Sequence, residues 1–227
     1  MSLNPFEKSL EAQETKLENV GTFRNKNIDF NCLFFHVIQR AYRRWNILNS
    51  DTAWYYHTLI ESECSKYKVL PICQVIMPNH VHEIFYSKDV RNITNLRRVV
   101  CSQTTLFMNR NRINDGKKPL DHLFERGPRY VAITGRNHLL MTMKYIADND
   151  LYLKQEGRTA PYSCFTYWAR QKYKPFAVES VANLFRINPE KLTHLLSEDS
   201  TKVREFAESF CSNPETVLED RELFFKS

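Results

Sequence analysis

The sequence predicts an α+β fold: an antiparallel sheet carries helices on one face, and a helical appendage follows at the C-terminal end. Three observations lead to this prediction. Residues 69–86 (VLPICQVIMPNHVHEIFY) contain two apolar strands joined by a Met-Pro-Asn turn, which indicates a central hairpin. Residues 31–39 and 122–133 contain further apolar, strand-like runs. Segments with helical spacing of apolar residues separate these strands.

The composition restricts the class of protein. The chain has 227 residues, of which 42% are hydrophobic and 26% charged, as is typical of globular proteins. We see no apolar run of membrane-spanning length and no signal peptide, so we expect a cytoplasmic protein without a membrane partner. The net charge of +6 suits a polyanionic partner. Glycine is scarce and no glycine-rich phosphate loop is present, so no nucleotide cofactor is expected.

The cysteines are dispersed along the chain and form no Cys-x-x-Cys pair, which argues against a zinc ribbon or finger. They are best interpreted as small, reduced core residues. The six are Cys32, Cys64, Cys73, Cys101, Cys164 and Cys211.

Two histidines begin the second strand of the hairpin. Side chains alternate along a strand, so His80 and His82 share one face, about 7 Å apart along the strand, while Val81 points to the opposite face. Two imidazoles on one face of a strand are natural ligands for a divalent metal. From the pair alone, two structural histidines remain the alternative.

Two helices are expected to flank the hairpin. Asp51 is a reasonable N-cap for a helix to about residue 67, with Trp54, Leu59 and Ile60 on its buried face. Asn92 or Thr94 can cap a longer helix to about residue 112.

Basic residues occur at several places that could meet nucleic acid. After the first strand, Arg40, Arg43 and Arg44 are interleaved with Tyr42 and Trp45, a mixture that suits phosphate contacts and base stacking. A solvated basic loop over an apolar edge is an equally good interpretation.

Further candidates for nucleic-acid contact are Arg97 and Arg98 on the second helix, and Arg126 and Arg129 beside the fourth strand. A solvated helix face is the alternative for the first pair.

A later helix, over residues 136–153, contains Tyr145 and Asn149. Residues four apart are neighbours on one helix face. Helix position alone favours a core or rim tyrosine.

His36 lies in the first strand, where a lone histidine is more often structural, although it could lie near the face that carries the histidine pair.

The motif MPNHVHEIFY resembles the His-hydrophobic-His strand of the HUH nucleases, and more narrowly the single-tyrosine transposases, which include the REP-associated tyrosine transposases. The run YIADND at 145–150 is similar to the Tyr-Ile-x-x-Asn-Pro pattern of that family. The resemblance covers about residues 29–168 and implies a ferredoxin-like, RRM-like core. Asp150 replaces the proline that is usual in this family. It could be a metal ligand, an adjustment of the helix end or a sign of decayed activity, and all three interpretations stay open.

The resemblance implies that Tyr145 attacks a phosphate and leaves a 5′-phosphotyrosyl intermediate and a free 3′-OH. It places the metal on His80, His82 and Asn149, with Mg²⁺ or Mn²⁺ as the ion, since an amide oxygen is a hard, neutral ligand. The implied partner is single-stranded, hairpin-bearing DNA. Some members form dimers and others act as monomers, so a homodimer stays open.

We expect three segments: a flexible tail over 1–26, a catalytic domain over 27–173 and a helical appendage over 174–227. Within the appendage, residues 178–196 suggest helix, turn, helix. A helix-turn-helix unit and a plain helical appendage both stay open.

Three rival functions stay open at this point. A domesticated relative would bind DNA without transposition. A metal-dependent hydrolase would use water on the histidine pair, with Tyr145 structural. An RNA-binding module of the same ferredoxin-like type would carry purely structural histidines.

Overall fold

The computed structural model describes residues 34–165, 181–182, 185 and 187–211. The helices and strands are β1 (Phe34–Arg40), α1 (Ser50–Glu63), β2 (Leu70–Ile76), β3 (His80–Tyr86), α2 (Val90–Asn114), β4 (Arg129–Ile133), α3 (Arg136–Gln155), β5 (Tyr162–Ser163), α4 (Pro189–Ser197) and α5 (Ser200–Cys211). A short 3₁₀ turn follows β1. The expected tail over 1–26 lies outside the described residues, as do residues 166–173 of the expected catalytic domain.

The sheet has the strand order β4-β1-β3-β2-β5, and each neighbouring pair is antiparallel. The order of elements from β1 to β4 is strand, helix, strand, strand, helix, strand. With β1 and β3 at the centre, this is the ferredoxin-like arrangement, and β5 extends it beyond β2. The predicted α+β fold class is confirmed.

The two faces of the sheet are covered by different helices. His80 and His82 point to one face of β3, here named the histidine face, and Glu83 points to the other. Tyr56 of α1 hydrogen-bonds Glu83, so α1 lies on the Glu83 face. The ring of Tyr145 on α3 lies against the histidine face. The sequence predicted helices on one face of the sheet only. In the structure, α3 also covers the histidine face, opposite α1.

The helix starts differ from those expected. The side chain of Asn49, not Asp51, caps α1 by accepting the N–H three residues later. Asp89 caps α2, one turn before the expected Asn92 or Thr94. Both capping residues have extended backbone angles, which lets the side chain turn back to the first free N–H groups.

The prediction that Trp54 is buried is wrong, because 47% of its surface is exposed. Of the other residues expected on this face, Ile60 is buried and Leu59 is half-buried. Ala53, Tyr56 and His57 complete the buried stripe at helical spacing, and Trp54 lies beside it.

The C-terminal helices pack on α3. Leu192 and Leu196 of α4 and Val203 of α5 are fully or almost fully buried and join the same core as Leu139 and Met143 of α3. The second helix of the suggested helix-turn-helix is α4, which begins at a proline as expected. Most of the first helix lies outside the described residues. None of the helices in the described ranges has the length and hydropathy of a membrane span.

Candidate active site

The histidine pair lies at the start of β3, directly after the hairpin turn. The backbone N–H of Met77 donates to the carbonyl of His80 at 2.8 Å and closes this turn. The rings of His80 and His82 have centroids 4.7 Å apart and stand nearly perpendicular. The two imidazoles therefore share one face, as their alternation predicts.

Each of the two rings has its Nδ1 atom in a hydrogen bond. His80 Nδ1 lies 2.6 Å from Asn79 Oδ1, an acceptor, so this nitrogen carries the hydrogen. His82 Nδ1 lies 3.0 Å from His36 Nε2 in a buried contact. If His82 likewise donates from Nδ1, both rings keep a lone pair on Nε2 for a ligand.

Sequence reasoning left two interpretations open for His36, a structural histidine or a residue near the face of the histidine pair, and the structure places it on that face. In the sheet register His36 pairs with Ile84, and Ile38 pairs with His82, so His36 is the diagonal neighbour of His82 on the same face. Its side chain is 3% exposed. His36 and Arg40 are four residues apart in β1, so their side chains lie on the same face of this strand. The register of β1 against β3 then shows that this is the histidine face.

Tyr145 approaches the histidines from α3. Its ring centroid is 5.4 Å from that of His82 and 6.1 Å from that of His36, with edge-on geometry in both cases. The side chain is half-buried. Strand β3 and helix α3 are far apart in sequence, and the fold brings the predicted nucleophile and the histidine pair together.

Asn149 lies one turn after Tyr145 on α3. Its Nδ2 donates to the carbonyl oxygen of Tyr145 at 2.9 Å. Only the nitrogen end of an amide can donate to a carbonyl, so this bond fixes the orientation of the side chain. The amide oxygen is the end that remains to serve as a ligand.

The environment keeps the imidazoles neutral. Burial, together with the positive charges of Arg40 and Arg44, lowers the pKa of His80 to about 4. Burial, together with the neighbouring rings, holds the pKa of His82 well below its usual range. Burial also lowers the pKa of His36 to about 3. Neutral imidazole is the form that binds metals.

Some of the predicted basic residues surround this face. Arg40 is the direct cross-strand partner of His80, and Arg129 of β4 pairs with Ile38, in the same row as His82. Cross-strand partners share a face, so both arginines belong to the histidine face. Arg43 lies in the exposed turn that follows β1.

Arg97 is the exception, and the prediction that it contacts nucleic acid is wrong. It is 2% exposed and forms a buried ion pair with Glu83 on the opposite face of β3. It also donates to Tyr56 Oη and, at 3.2 Å, to Gln39 Oε1. Arg97 lies on the side of α2 that faces the sheet, so its guanidinium stays in the interior.

Arg98 and Arg126 are exposed but are not brought to the histidine pair. They line a cavity of about 500 Å³ together with Gln39 and Tyr130. Gln39 and Tyr130 alternate with histidine-face residues along β1 and β4, so this cavity lies on the other side of the sheet. Their contact with nucleic acid stays a prediction.

Asp150 occupies the position where the resembling family has proline. It is 4% exposed, and its Oδ2 is 2.9 Å from Lys154 Nζ, one turn later. Helix α3 continues past it to Gln155. A proline here would remove a backbone N–H from the helix interior, whereas aspartate allows the helix to extend by a further turn. This carboxylate therefore has an observed structural partner.

The donor set can be tested for its fit to a divalent ion. Within the residues described, no group of three or more His, Cys, Asp or Glu side chains is placed to hold a metal. A third ligand from this part of the chain would thus have to be of another kind. The amide oxygen of Asn149 is such a donor, on the helix face that brings Tyr145 to His82. An amide oxygen is a hard, neutral donor compatible with Mg²⁺ or Mn²⁺, and the identity of the ion stays a prediction.

Comparison with known proteins gives a family match. The family model described as "Transposase IS200 like" matches residues 30–149, which is more than half of the chain. No curated protein matches the chain.

Solved structures are also similar to the chain, and two of them serve as examples. One is the structure of a REP-associated tyrosine transposase bound to a REP hairpin, with 18% identity, a TM-score of 0.47 and coverage of 69% of this chain and 91% of that one. The other is a presumed transposase from Deinococcus radiodurans R1, with 12% identity, a TM-score of 0.39 and coverage of 55% of this chain and 94% of that one.

Proposed function

Since the chain belongs to the family of IS200-like transposases, we propose that it cuts one strand of DNA by attack of the Tyr145 phenol on a backbone phosphate. The substrate is single-stranded DNA that carries a hairpin. Mg²⁺ or Mn²⁺ would assist as a Lewis acid, and His80, His82 and Asn149 would hold the ion.

One observation carries the proposal: Tyr145 meets the histidine pair on one face of the sheet, with ring centroids 5.4 Å apart between Tyr145 and His82. Family membership supports DNA cleavage as such, and the geometry supports the assignment of roles. Tyr145 is half-buried and packs partly against the core, and the edge-on contacts of its ring with the buried imidazoles of His36 and His82 are more than this packing requires.

The bound ion would supply a Lewis acid at a non-bridging oxygen of the phosphate. Hydrogen bonds within the chain orient the three side chains that would bind the ion. His36 and Asn79 engage the Nδ1 atoms of His82 and His80, which orients both rings. The hydrogen bond to the Tyr145 carbonyl orients the amide of Asn149.

Tyr145 supplies the nucleophile. Its oxygen forms a bond to phosphorus, the bond from phosphorus to the 3′ oxygen breaks, and the departing oxygen takes up a proton to become a 3′-OH. The phenolic proton passes to solvent, since the side chain is half-buried and open to water. The phosphodiester energy is kept in the 5′-phosphotyrosine, which a 3′-OH can later attack to rejoin strands without a nucleotide cofactor.

Arg40 and Arg129 supply positive charge on the same face as the reaction. A phosphate that approaches the histidine face meets these guanidinium groups and three neutral imidazoles. In such a partly dehydrated site, fixed positive charge stabilises the charge that develops on the phosphate oxygens. Arg40 and Arg129 therefore hold and neutralise the scissile phosphate.

A cleavage assay tests this function. The full chain is incubated with Mn²⁺ and a panel of end-labelled, hairpin-bearing single strands, and products are separated on a denaturing gel. We expect a cleaved strand and a slow-migrating covalent adduct, both lost in Tyr145→Phe and His80→Ala. Cleavage that survives Tyr145→Phe without an adduct would instead favour water as the nucleophile.

A further inference from the structure

The turn that follows β1 carries a cluster of rings at the protein surface. The centroids of Tyr42 and Trp45 are 6.1 Å apart in an edge-on arrangement, and Tyr42 also contacts His122 at 5.8 Å. The guanidinium carbon of Arg43 lies 5.2 Å from the Tyr42 ring centroid and 5.7 Å from that of Trp45. Trp45 nevertheless remains 45% exposed. We name residues 41–48 the aromatic loop.

The aromatic loop is fixed to the hairpin turn that precedes the histidine pair. The N–H of Ala41 donates to the carbonyl of Asn79 at 2.8 Å, and the N–H of Leu48 donates to the carbonyl of Pro78 at 2.9 Å. These bonds anchor both ends of the loop beside His80. The positive charge of Arg44 within the loop also reaches His80, where it helps to lower the pKa of that imidazole.

The backbone of the aromatic loop adopts a conformation that side chains disfavour. Arg43 has φ 55° and ψ 21°, and Arg44 has φ 54°. Two successive non-glycine residues in the left-handed region are uncommon, because Cβ crowds the following carbonyl. Such strain persists where the surroundings enforce it, and it is concentrated at functional sites.

We propose that Tyr42, Arg43 and Trp45 form a nucleobase subsite, on which an unpaired base of the DNA strand stacks next to the scissile phosphate. The inference rests on the proposed function, because it takes single-stranded DNA as the substrate. Exposed aromatic rings within a basic groove bind single strands by stacking, and a guanidinium plane contributes in the same way.

The charges around the loop favour DNA over an apolar partner. Arg40, Arg43 and Arg44 follow one another around the rings, and within the described part of the chain no carboxylate pairs with any of them. A strand whose phosphate is held by Arg40 near His80 can place a neighbouring base on Trp45. Stacking tolerates every base, so this subsite contributes affinity and strand position more than sequence readout.

A binding experiment tests the subsite. The full chain, in EDTA to prevent cleavage, is titrated into labelled single strands in which each base in turn is replaced by an abasic site. We expect Trp45→Leu to weaken binding about 5- to 150-fold, the range for loss of one stacked base. One abasic position should weaken wild-type binding and have no further effect on Trp45→Leu. Trp45→Phe, which keeps a ring, should retain most of the affinity.

Trp54→Leu is the matched control, since Trp54 is exposed to a similar degree, 47%, but lies on α1 against His57 and Tyr162. It should bind DNA like the wild type. Three results would overturn the subsite. Trp45→Leu and Trp54→Leu would weaken DNA binding equally, or Trp45→Leu would have no effect on binding. In the third, Trp45→Leu would weaken binding, but no single abasic position would remove that difference from the wild type. An RNA strand of the same sequence bound equally tightly through Trp45 would overturn the assignment to DNA.

The binding experiment and the cleavage assay test the subsite and the proposed function independently of each other. A Tyr145 adduct together with unchanged binding by Trp45→Leu removes the subsite alone. Binding that depends on Trp45 and on one base, without any adduct in the cleavage assay, removes the tyrosine mechanism and leaves the subsite in place.

Discussion

His36 Nε2 lies 3.0 Å from His82 Nδ1, and both rings are buried beneath Tyr145. One hydrogen is shared between these nitrogens, so the tautomers of the two rings depend on each other. When His82 donates, its Nε2 keeps the lone pair that a metal needs. We therefore assign His36 the role of a positioning residue for His82 within the proposed mechanism.

Substitution of His36 should weaken metal binding without removing a ligand. His36→Phe retains the ring volume but offers no acceptor, so we expect a 10- to 100-fold loss of Mn²⁺ affinity by titration calorimetry. His36→Gln supplies an amide oxygen as acceptor and should recover part of the loss. His194→Gln, at a surface position on α4, is the control. Equal Mn²⁺ affinity in His36→Phe and the wild type would contradict this role.

The buried pair of Arg97 and Glu83 should matter for stability. Glu83→Gln leaves a guanidinium charge in the interior without its carboxylate, which typically costs about 3–5 kcal/mol. Urea unfolding followed by circular dichroism measures this cost as a lower midpoint.

Arg98→Ala is the matched control for the buried pair, because Arg98 is the exposed neighbour of Arg97 on α2. Its free energy of unfolding should change by less than about 0.5 kcal/mol. The double variant Glu83→Gln, Arg97→Met removes the orphaned charge and should recover much of the stability. A midpoint for Glu83→Gln equal to that of Arg98→Ala would contradict the interior role of the pair.

The arginines near His80 should contribute to the salt dependence of DNA binding. Each phosphate contact that is lost lowers the slope of log affinity against log salt by about 0.7 for a single strand. We expect this change for Arg40→Ala and for Arg44→Ala, measured by fluorescence anisotropy at several salt concentrations. Lys66→Ala should keep the wild-type slope, since Lys66 pairs with Glu63 at the end of α1. If Arg40→Ala and Arg44→Ala gave the same slope as Lys66→Ala, contact of these arginines with DNA phosphates would be excluded.

Stability should fall as the solution becomes acidic. Burial lowers the pKa of His36 to about 3, and that of His57 and His80 to about 4, whereas the unfolded chain titrates near 6.5. Between about pH 6.5 and 4 the unfolded state therefore binds more protons than the folded state. Each such histidine removes up to about 1.4 kcal/mol of stability per pH unit in this window.

Urea midpoints at a series of pH values test this pH dependence. His57→Gln should give a flatter profile than the wild type, because one buried imidazole is gone. His194→Gln should change the profile much less than His57→Gln, since the side chain of His194 is exposed. A midpoint that is constant from pH 7 to 4.5 would contradict the neutral, buried state of these histidines.

The fold class and the shared face of His80 and His82 were accessible from sequence because they depend on local patterns, such as the alternation along β3. Helical spacing puts Tyr145 and Asn149 on one face, but the family resemblance, not the spacing, made them candidates for the site. Arg97 was misjudged because the same spacing does not say which side of α2 meets the sheet. Its carboxylate partner is a residue of β3, and that contact depends on the packing of a helix on a strand.

The hydrogen bond of His36 could not be predicted for a related reason. It depends on the register of β1 against β3, and a shift by one residue would move His36 to the other face. Asp150 shows the same limit: its partner Lys154 is one turn away, but the local pattern does not reveal that the aspartate is buried.

The most direct test of the central claim is peptide mass spectrometry on the covalent product. After reaction with a hairpin-bearing strand and Mn²⁺, the protein is digested with nuclease and protease, and the peptide that contains Tyr145 is analysed. We predict a nucleotide linked to Tyr145 through a 5′ phosphate, and a free 3′-OH on the released strand. An unmodified Tyr145 peptide alongside a fully cleaved strand would contradict the mechanism.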